Sequence, residues 1–160
     1  MQSEVTPKIR IVPYEAHYAQ AFYKINKVWI DRYFKMEPKD YETLEHPEES
    51  IIKPGGTILI ALINEIPAGV CALIPSDRSG CKFELAKMGV DEAYRGIGIG
   101  RHLCNRALET AKKMGARKVY LESNTILEPT LKLYRSLGFV EVEGCASPYS
   151  RSNIQMEAIL

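Results

Sequence analysis

The sequence predicts an α+β domain whose central sheet is mixed and mostly antiparallel. Two observations support this prediction. In the first half of the chain, two helical patterns precede three consecutive strand patterns, and strands joined by short turns pair antiparallel. In the second half, strand and helix patterns alternate. A strand–helix–strand connection within one sheet makes a parallel pair, so we expect one parallel step.

The chain begins with a strand pattern and continues with helices. Residues 8–12 predict a first strand, which Pro13 ends. Residues 17–33 place apolar side chains at helical spacing and predict a long helix. Residues 39–44 predict a second, short helix, and the Lys-Pro-Gly-Gly sequence at 53–56 predicts a turn.

Three strands follow this turn. Residues 57–63 and 68–74 are apolar and rich in β-branched side chains, which favours buried strands. The connection at 64–67, Asn-Glu-Ile-Pro, is typical of a hairpin. Residues 82–90 predict a third adjacent strand, so the three strands form a meander.

The second half of the chain begins with a helix that follows a glycine-rich loop. This helix starts near Arg101, carries one apolar stripe, and is closed by Gly115. Four further elements are expected, namely a strand at 119–122, a helix at 129–137 and strands at 139–142 and 153–159.

Composition limits the classes of protein to which the chain can belong. Its 160 residues, 46% hydrophobic and 26% charged, are typical of a single globular domain spanning 1–160. A net charge of +1 argues against a nucleic-acid-binding protein. The chain has no apolar run of about 20 residues and no apolar segment near its start, so we expect neither a membrane span nor a secretory signal. The expected location is the cytoplasm.

The four cysteines do not form a metal-binding or disulfide pattern. No Cys-x-x-Cys pair is present, and the cysteines lie mostly within apolar patterns, so reduced and partly buried thiols are expected. The three histidines are far apart and lack ligand-type spacing. We therefore expect no metal site.

The most informative stretch is residues 95–100, Arg-Gly-Ile-Gly-Ile-Gly, between a strand and a helix. Glycines let backbone N–H groups converge on an anion, and the start of a helix adds unpaired N–H groups and a positive dipole end. The stretch lacks the Lys-Ser/Thr pair of a Walker loop and the spacing of a Rossmann loop. By itself it predicts either a diphosphate cradle or only a tight strand-to-helix turn.

The residues around this loop decide between the two interpretations. Residues 84–100 strongly resemble motif A of the GNAT superfamily of N-acetyltransferases, with Arg95, Gly98 and Gly100 at the positions of R/Q-x-x-G-x-G/A. Two later segments resemble motif B, Leu-Glu-Ser-Asn at 121–124 and Leu-Tyr-Arg-Ser-Leu-Gly-Phe at 133–139. The resemblance implies the three-layer α/β/α topology of that superfamily, with acetyl-CoA as cosubstrate.

The resemblance also implies which residues bind acetyl-CoA. The loop would hold the diphosphate, and the strand before it would pair its edge with the pantetheine arm through the backbone of Met88 and Val90, one amide polarising the thioester carbonyl. Asn124 would bond the amide-bearing arm, although a turn or helix-capping role is the alternative. The implied cradle residues are Arg95, Gly96, Ile97, Gly98, Ile99, Gly100 and Arg101.

Two residues are candidates for catalysis. Tyr134 resembles the family's general acid, which protonates the leaving thiolate; the alternative is a core aromatic residue. Glu84 is the candidate base, since it lies eleven residues before Arg95, as in the histone-acetyltransferase branch. A carboxylate on an apolar strand should have a raised pKa. A salt bridge between Glu84 and Lys87 is the alternative, and Glu122 or an ordered water are competing bases.

The predicted reaction is direct transfer of the acetyl group of acetyl-CoA to a primary amine of a small-molecule or amino-acid-like acceptor. Trp29, Tyr33 and Phe34 are candidates to line the acceptor side, and Arg151 is a candidate to bind an acceptor carboxylate. The alternatives are a protein N-terminus or lysine as acceptor, and a non-catalytic acyl-CoA-binding module. The sequence leaves open the acyl-chain preference and whether the chain forms a homodimer.

Overall fold

The computed structural model describes residues 8–144 and 147–160 and contains a seven-stranded sheet. The strands lie in the order β1-β2-β3-β4-β5-β7-β6, so that the last strand inserts between its two predecessors. Their bounds are β1 Ile9–Pro13, β2 Thr57–Ile63, β3 Ile66–Pro75, β4 Phe83–Val90, β5 Lys118–Ser123, β6 Val140–Val142 and β7 Ile154–Ile159.

Four α-helices connect these strands, together with three short turns of helix. The helices are α1 Ala19–Tyr33, α2 Pro38–Glu45, α3 Ile99–Lys113 and α4 Glu128–Ser136. The short turns are 3₁₀ at Ala16–Tyr18 and Glu92–Tyr94 and π-helical at Glu48–Ile52. Within the described residues, none of the helices is long and apolar enough to cross a membrane.

The pairing of the strands confirms the predicted mixed, mostly antiparallel sheet. All neighbouring pairs are antiparallel except β4 and β5, which are parallel because α3 crosses between them. This is the one parallel step that the strand–helix–strand pattern predicts.

The sheet is covered on both faces, which makes three layers. Alternate residues of β2 belong to two different apolar clusters. One cluster lies under α1 and α2 and contains Phe22, Ile30 and Ile60. The other lies under α3 and α4 and contains Leu59 and Leu103. Because both faces are buried, β2 is continuously apolar instead of alternating.

Two of the differences between the structure and the predicted elements concern a turn and a loop. The hairpin between β2 and β3 turns in two residues, Asn64 and Glu65, and not in four. Both have positive φ angles, 49° and 66°, the twist that suits a two-residue hairpin. Helix α3 begins at Ile99 and not near Arg101, because Gly98, with φ of 87°, ends the loop immediately before it.

Helix α3 owes its position to a close contact with β3. Gly69 of β3 faces this helix, and a Cβ atom built on Gly69 would lie 2.6 Å from Cγ2 of Ile99 and 2.9 Å from Cδ1 of Leu103. Both side chains are buried, with Leu103 fully inaccessible. The absence of a side chain at Gly69 therefore sets the depth at which the start of α3 sits.

We expect Gly69→Ala to destabilise the protein by about 2 kcal/mol, because the added methyl group overpacks the contact between β3 and α3. Urea unfolding would measure the loss. Ile66→Val on the same strand is the control, since Ile66 is exposed and its shortening should cost less than about 0.5 kcal/mol. Equal unfolding free energies for Gly69→Ala and the wild type would show that α3 is not held at this depth.

Candidate active site

A cleft opens where β4 and β5 diverge. The parallel ladder joins Phe83 to Val119 and Glu84 to Tyr120, and beyond Glu84 the two strands separate. The cavity between them has a volume of about 550 Å³ and is lined by residues of both strands, α1, α3 and α4. That volume lies within the range of small-molecule sites.

The divergence follows a β-bulge in β4. Val70 pairs with Gly89 and Ala72 pairs with Ala86, so that two residues of β4, Lys87 and Met88, oppose one residue of β3. Lys87 has a φ of 52°, in the left-handed region. The extra residue reverses which side chains face which layer, because a strand alternates with period two.

The glycine-rich loop forms one end of the cleft. Gly96 and Gly98 have φ angles of 84° and 87°, and Gly98 is the N-cap of α3. Glycine has no side chain with which to cap the helix, so the first N–H groups of α3 lack a side-chain partner. Those groups and the helix dipole suit an anion.

The cleft lining includes most of the residues predicted to bind the cofactor. Ile97 is the exception among the described residues, and this residue is 39% exposed. The side chain of Ile99 belongs to the core, so only its backbone is available to a ligand. The predicted residues that line the cleft are Met88, Val90, Arg95, Gly96, Gly98, Ile99, Gly100, Arg101 and Asn124.

Glu84 lies where the cleft begins. Burial raises the pKa of this carboxyl to about 7, with the charge of Glu122 adding to the rise and that of Lys87 opposing it. The predicted upward pKa shift is therefore confirmed. A pKa near the working pH suits a general base, because the ionised form is available and still holds a proton well once it has accepted one.

Glu122, the competing base, is occupied by neutral donors. Its Oε1 accepts hydrogen bonds from the hydroxyl of Tyr120 at 2.7 Å and from Nε2 of Gln155 at 3.4 Å. Its Oε2 accepts one from Oγ of Ser147 at 2.6 Å. Both carboxylate oxygens of Glu122 are therefore engaged within the protein, and its charge acts on the neighbouring Glu84.

Tyr134 lines the cleft from α4. Its ring packs edge-on against Phe139, with ring centroids 5.7 Å apart, and the residue is almost wholly buried. Burial raises the pKa of its hydroxyl well above the usual value. The phenol therefore stays protonated at neutral pH. Its packing also fits the alternative of a core aromatic, so the acid role stays a prediction.

Asn124 has both ends of its side-chain amide engaged within the protein. Its Nδ2 donates to the carbonyl of Arg151 at 2.7 Å, and its Oδ1 accepts from the N–H of Ile126 at 3.0 Å. These bonds match the turn role that was the alternative at this position. Contact between Asn124 and a cofactor stays a prediction.

A buried cluster of ion pairs beside the bulge was missed by the sequence analysis. Nζ of Lys87 lies 2.6 Å from Oδ1 of Asp40 on α2, and Lys87 does not pair with Glu84 as the alternative expected. Arg151 binds the same carboxylate with two nitrogens, at 2.6 and 2.7 Å. The side chain of Asp40 is fully buried.

The cluster fixes the charge states of its members. Burial alone would raise the pKa of Asp40, but hydrogen bonds from Arg151 and the charge of Lys87 outweigh it and lower the pKa to about 2. Burial lowers the pKa of Lys87, and the charge of Asp40 opposes that change. Since Asp40, Glu37 and the carbonyl of Lys35 all accept from its guanidinium, Arg151 is already engaged within the protein and is poorly placed to bind the acceptor carboxylate expected from the sequence.

The described cysteines are free and buried, as predicted; they are Cys71, Cys81 and Cys104, while Cys145 lies outside the described residues. In the described ranges, no group of three His, Cys, Asp or Glu side chains is placed to hold a metal ion.

Comparison with known proteins identifies relatives of the chain. The sequence profile of the acetyltransferase (GNAT) family matches residues 16–139. The uncharacterized N-acetyltransferase YjgM of Escherichia coli is 36% identical over 80 residues, which are 48% of this chain and 47% of that protein. The N-alpha-acetyltransferase RimI of Mycobacterium tuberculosis is 44% identical over 61 residues, 38% of this chain and 37% of that protein. The matches thus span less than half of either relative.

Solved structures share the fold over nearly the whole chain. An acetyltransferase of the GNAT family from Staphylococcus aureus superposes with a TM-score of 0.85 at 22% identity, covering 95% of this chain and 99% of that one. The PaiA N-acetyltransferase of Thermoplasma acidophilum, solved in complex with coenzyme A, superposes with a TM-score of 0.74 at 17% identity, covering 96% and 99%. The predicted fold class is therefore confirmed.

We expect Asp40→Asn to lower the free energy of unfolding by about 3 kcal/mol at pH 7, since it leaves Lys87 and Arg151 without their buried counter-charge. The folded pKa of Asp40 lies below its unfolded value, so its stabilisation exists above pH 4 and is lost as the pH falls toward 2. Urea unfolding across this pH range should show the unfolding free energies of the wild type and the variant becoming equal as the pH falls.

The matched control is Asp31→Asn on α1, an exposed carboxylate paired with Lys27, which should change stability by less than about 0.5 kcal/mol. A difference in unfolding free energy between Asp40→Asn and the wild type that stays constant from pH 7 to pH 2 would show that the ionised Asp40 carboxylate is not what stabilises the cluster.

Proposed function

Because the chain belongs to the acetyltransferase (GNAT) family, we propose that it transfers the acetyl group of acetyl-CoA to a primary amine of a small-molecule or amino-acid-like acceptor. One observation carries this proposal. A carboxyl with a pKa near 7 and a protonated phenol, Glu84 and Tyr134, line the same cleft beyond a loop suited to diphosphate.

Acetyl-CoA fits the two ends of the cleft by different means. The loop at 95–101 supplies backbone N–H groups, two arginines and the start of α3 to its diphosphate. The edge of β4 beyond the bulge faces the opening, and there the backbone of Met88 and Val90 is available to pair with the pantetheine arm. The coenzyme A complex of the PaiA relative supports this choice of cosubstrate.

The first step is removal of a proton from the acceptor. A primary amine is mostly protonated at neutral pH, and only its free lone pair can attack a thioester. Glu84, directly or through an ordered water, accepts that proton. The neutral nitrogen then bonds to the carbonyl carbon.

The second step is collapse of the tetrahedral intermediate. An amide N–H of β4 beside the bulge donates to the oxygen that gains negative charge, which is worth on the order of 3 kcal/mol in comparable sites. The nitrogen, which still carries one proton too many after the attack, releases it to solvent. Tyr134 donates its proton to the departing sulfur, and the phenolate regains a proton from solvent. The products are the N-acetylated amine and free coenzyme A.

A protein N-terminus is the second candidate acceptor. The similarity to RimI, an N-alpha-acetyltransferase, favours this acceptor, and that similarity covers 61 residues. A lysine side chain would demand the same chemistry of Glu84 and Tyr134, so the acceptor is decided by the shape of the cleft and not by its reacting groups.

We expect Tyr134→Phe to lower kcat by about 100-fold, since the thiolate would leave without a general acid. The KM for acetyl-CoA should change by less than about threefold, because the ring is retained. Release of free thiol gives both constants. Tyr41→Phe, an exposed tyrosine on α2, is the control and should behave as wild type. An unchanged kcat in Tyr134→Phe would leave Tyr134 as a core residue only.

The pH profile tests the base. A carboxylate with a pKa of about 7 must be ionised to accept a proton, so kcat/KM should rise with pH and show an inflection near pH 7. Glu84→Gln should abolish that inflection and lower kcat/KM by about 100-fold. Glu122→Gln should move the inflection to lower pH, because the charge of Glu122 raises the pKa of Glu84. An inflection that survives in Glu84→Gln would assign it to another group.

A further inference from the structure

Residues 147–152, in the connection from β6 to β7, lie beside the cleft near Glu84. We call residues 147–152 the strap. Tyr149, Arg151 and Ser152 of the strap line the cleft together with Glu84 and Trp29. The strap is therefore positioned to limit what can reach the candidate base.

One side of the strap is fastened to α2 and the residues just before it. The N–H and the hydroxyl of Ser150 donate to Oε1 of Glu37 at 3.0 and 3.1 Å. Arg151 donates to Glu37 at 3.3 Å, in addition to its two bonds to Asp40. It also donates to the carbonyl of Lys35 at 3.5 Å.

The other side of the strap is fastened to the end of β5. The hydroxyl of Ser147 donates to Glu122, and Asn124 donates to the carbonyl of Arg151 at 2.7 Å. Arg151 thus contacts α2 through its side chain and the end of β5 through its backbone. Since α2 packs over the β1–β4 half of the sheet, the strap bridges the gap that the diverging strands leave.

The middle of the strap rests on the bulge. The hydroxyl of Tyr149 accepts a hydrogen bond from Nζ of Lys87 at 3.0 Å. The same ring has Nζ of Lys87 at 4.6 Å and Cζ of Arg151 at 4.4 Å from its centroid, both within cation–π range.

The charges that hold the strap are balanced and largely removed from solvent. Glu37 and Asp40 face Lys87 and Arg151, and the side chains of Asp40 and Arg151 are 0% and 13% exposed. Separating a buried ion pair leaves an uncompensated charge, so moving the strap away from α2 would cost free energy. The strap is thus a fixed wall of the cleft.

We propose that the strap restricts the acceptor to a small amine and excludes a polypeptide, and that the Arg151–Asp40 pair determines this specificity. The proposal rests on the proposed acetyl transfer. A peptide bearing the reacting amine would need to lie along the sheet face between α2 and the end of β5, where the strap lies. A small amine needs only the space beside Glu84, bounded by Trp29 and the strap.

The experiment compares two acceptors that present the same amine. One is an amino-acid amide, and the other is an octapeptide that begins with the same residue. We expect the wild-type kcat/KM, from thiol release and mass spectrometry of the product, to be at least about 100-fold higher for the amide, a ratio typical of steric exclusion. Equal values for the two acceptors would overturn the proposal.

Arg151→Gln tests the role of the pair. In this variant, the ratio of kcat/KM for the amide to kcat/KM for the octapeptide should fall about tenfold or more. Hydrogen exchange at 147–152 should become faster, and the KM for acetyl-CoA should stay within about twofold of the wild-type value. Arg106→Gln, an exposed arginine on α3, is the matched control and should keep the wild-type ratio. Faster exchange in the strap with an unchanged ratio would show that the strap does not select the acceptor.

A second variant, Glu37→Ala, tests the strap even if Arg151→Gln does not fold. Glu37→Ala removes the acceptor of the two Ser150 bonds and leaves the Arg151–Asp40 pair in place. The ratio of kcat/KM for the amide to that for the octapeptide should therefore fall by less than in Arg151→Gln, and the KM for acetyl-CoA should again be unchanged. Acetylation of neither the amide nor the peptide would contradict the proposed function itself, and acetylation of both at equal rates would contradict only the role of the strap.

Discussion

The ion pair between Lys87 and Asp40 connects the features on which the cleft depends. Lys87 is one of the two residues of β4 that oppose a single residue of β3, and its left-handed backbone places its side chain toward α2. In an unbroken strand it would share the face of Phe83 and Leu85, under α3, where a lysine would have no counter-charge. The bulge, the separation of β4 from β5 and the docking of α2 therefore belong to one arrangement.

Two carboxylates near this cleft show how far surroundings decide chemistry. Asp40 has two cationic partners, and its pKa falls to about 2; Glu84 has an apolar strand and an acidic neighbour, and its pKa rises to about 7. The first is a permanent anion that serves structure. The second changes its protonation near neutrality. Its raised pKa costs stability that grows from about pH 4.5, where the unfolded group ionises, to about pH 7, and is constant once the buried group has ionised too.

Much of the fold follows from patterns that are local in sequence. In the part of the chain that the structure describes, apolar periodicity and turn residues were sufficient to place the seven strands and four α-helices to within a few residues, and the glycine loop marked one end of the cleft. The cluster of Asp40, Lys87 and Arg151 was not predictable, since its members come from three distant segments and their pairing exists only after folding. Asn124 shows a related limit, because one amide suits both a turn and a ligand, and its bonds are known only from the structure.

The divergence of β4 and β5 leaves the sheet incomplete at its centre. Each strand turns an edge with unpaired N–H and carbonyl groups toward the gap, and such edges are sites at which chains pair with one another. A ligand that occupies the gap through backbone hydrogen bonds acts as a missing strand. In that sense the cosubstrate proposed for this cleft would also stabilise the native sheet, and the stability of the protein would rise with its concentration.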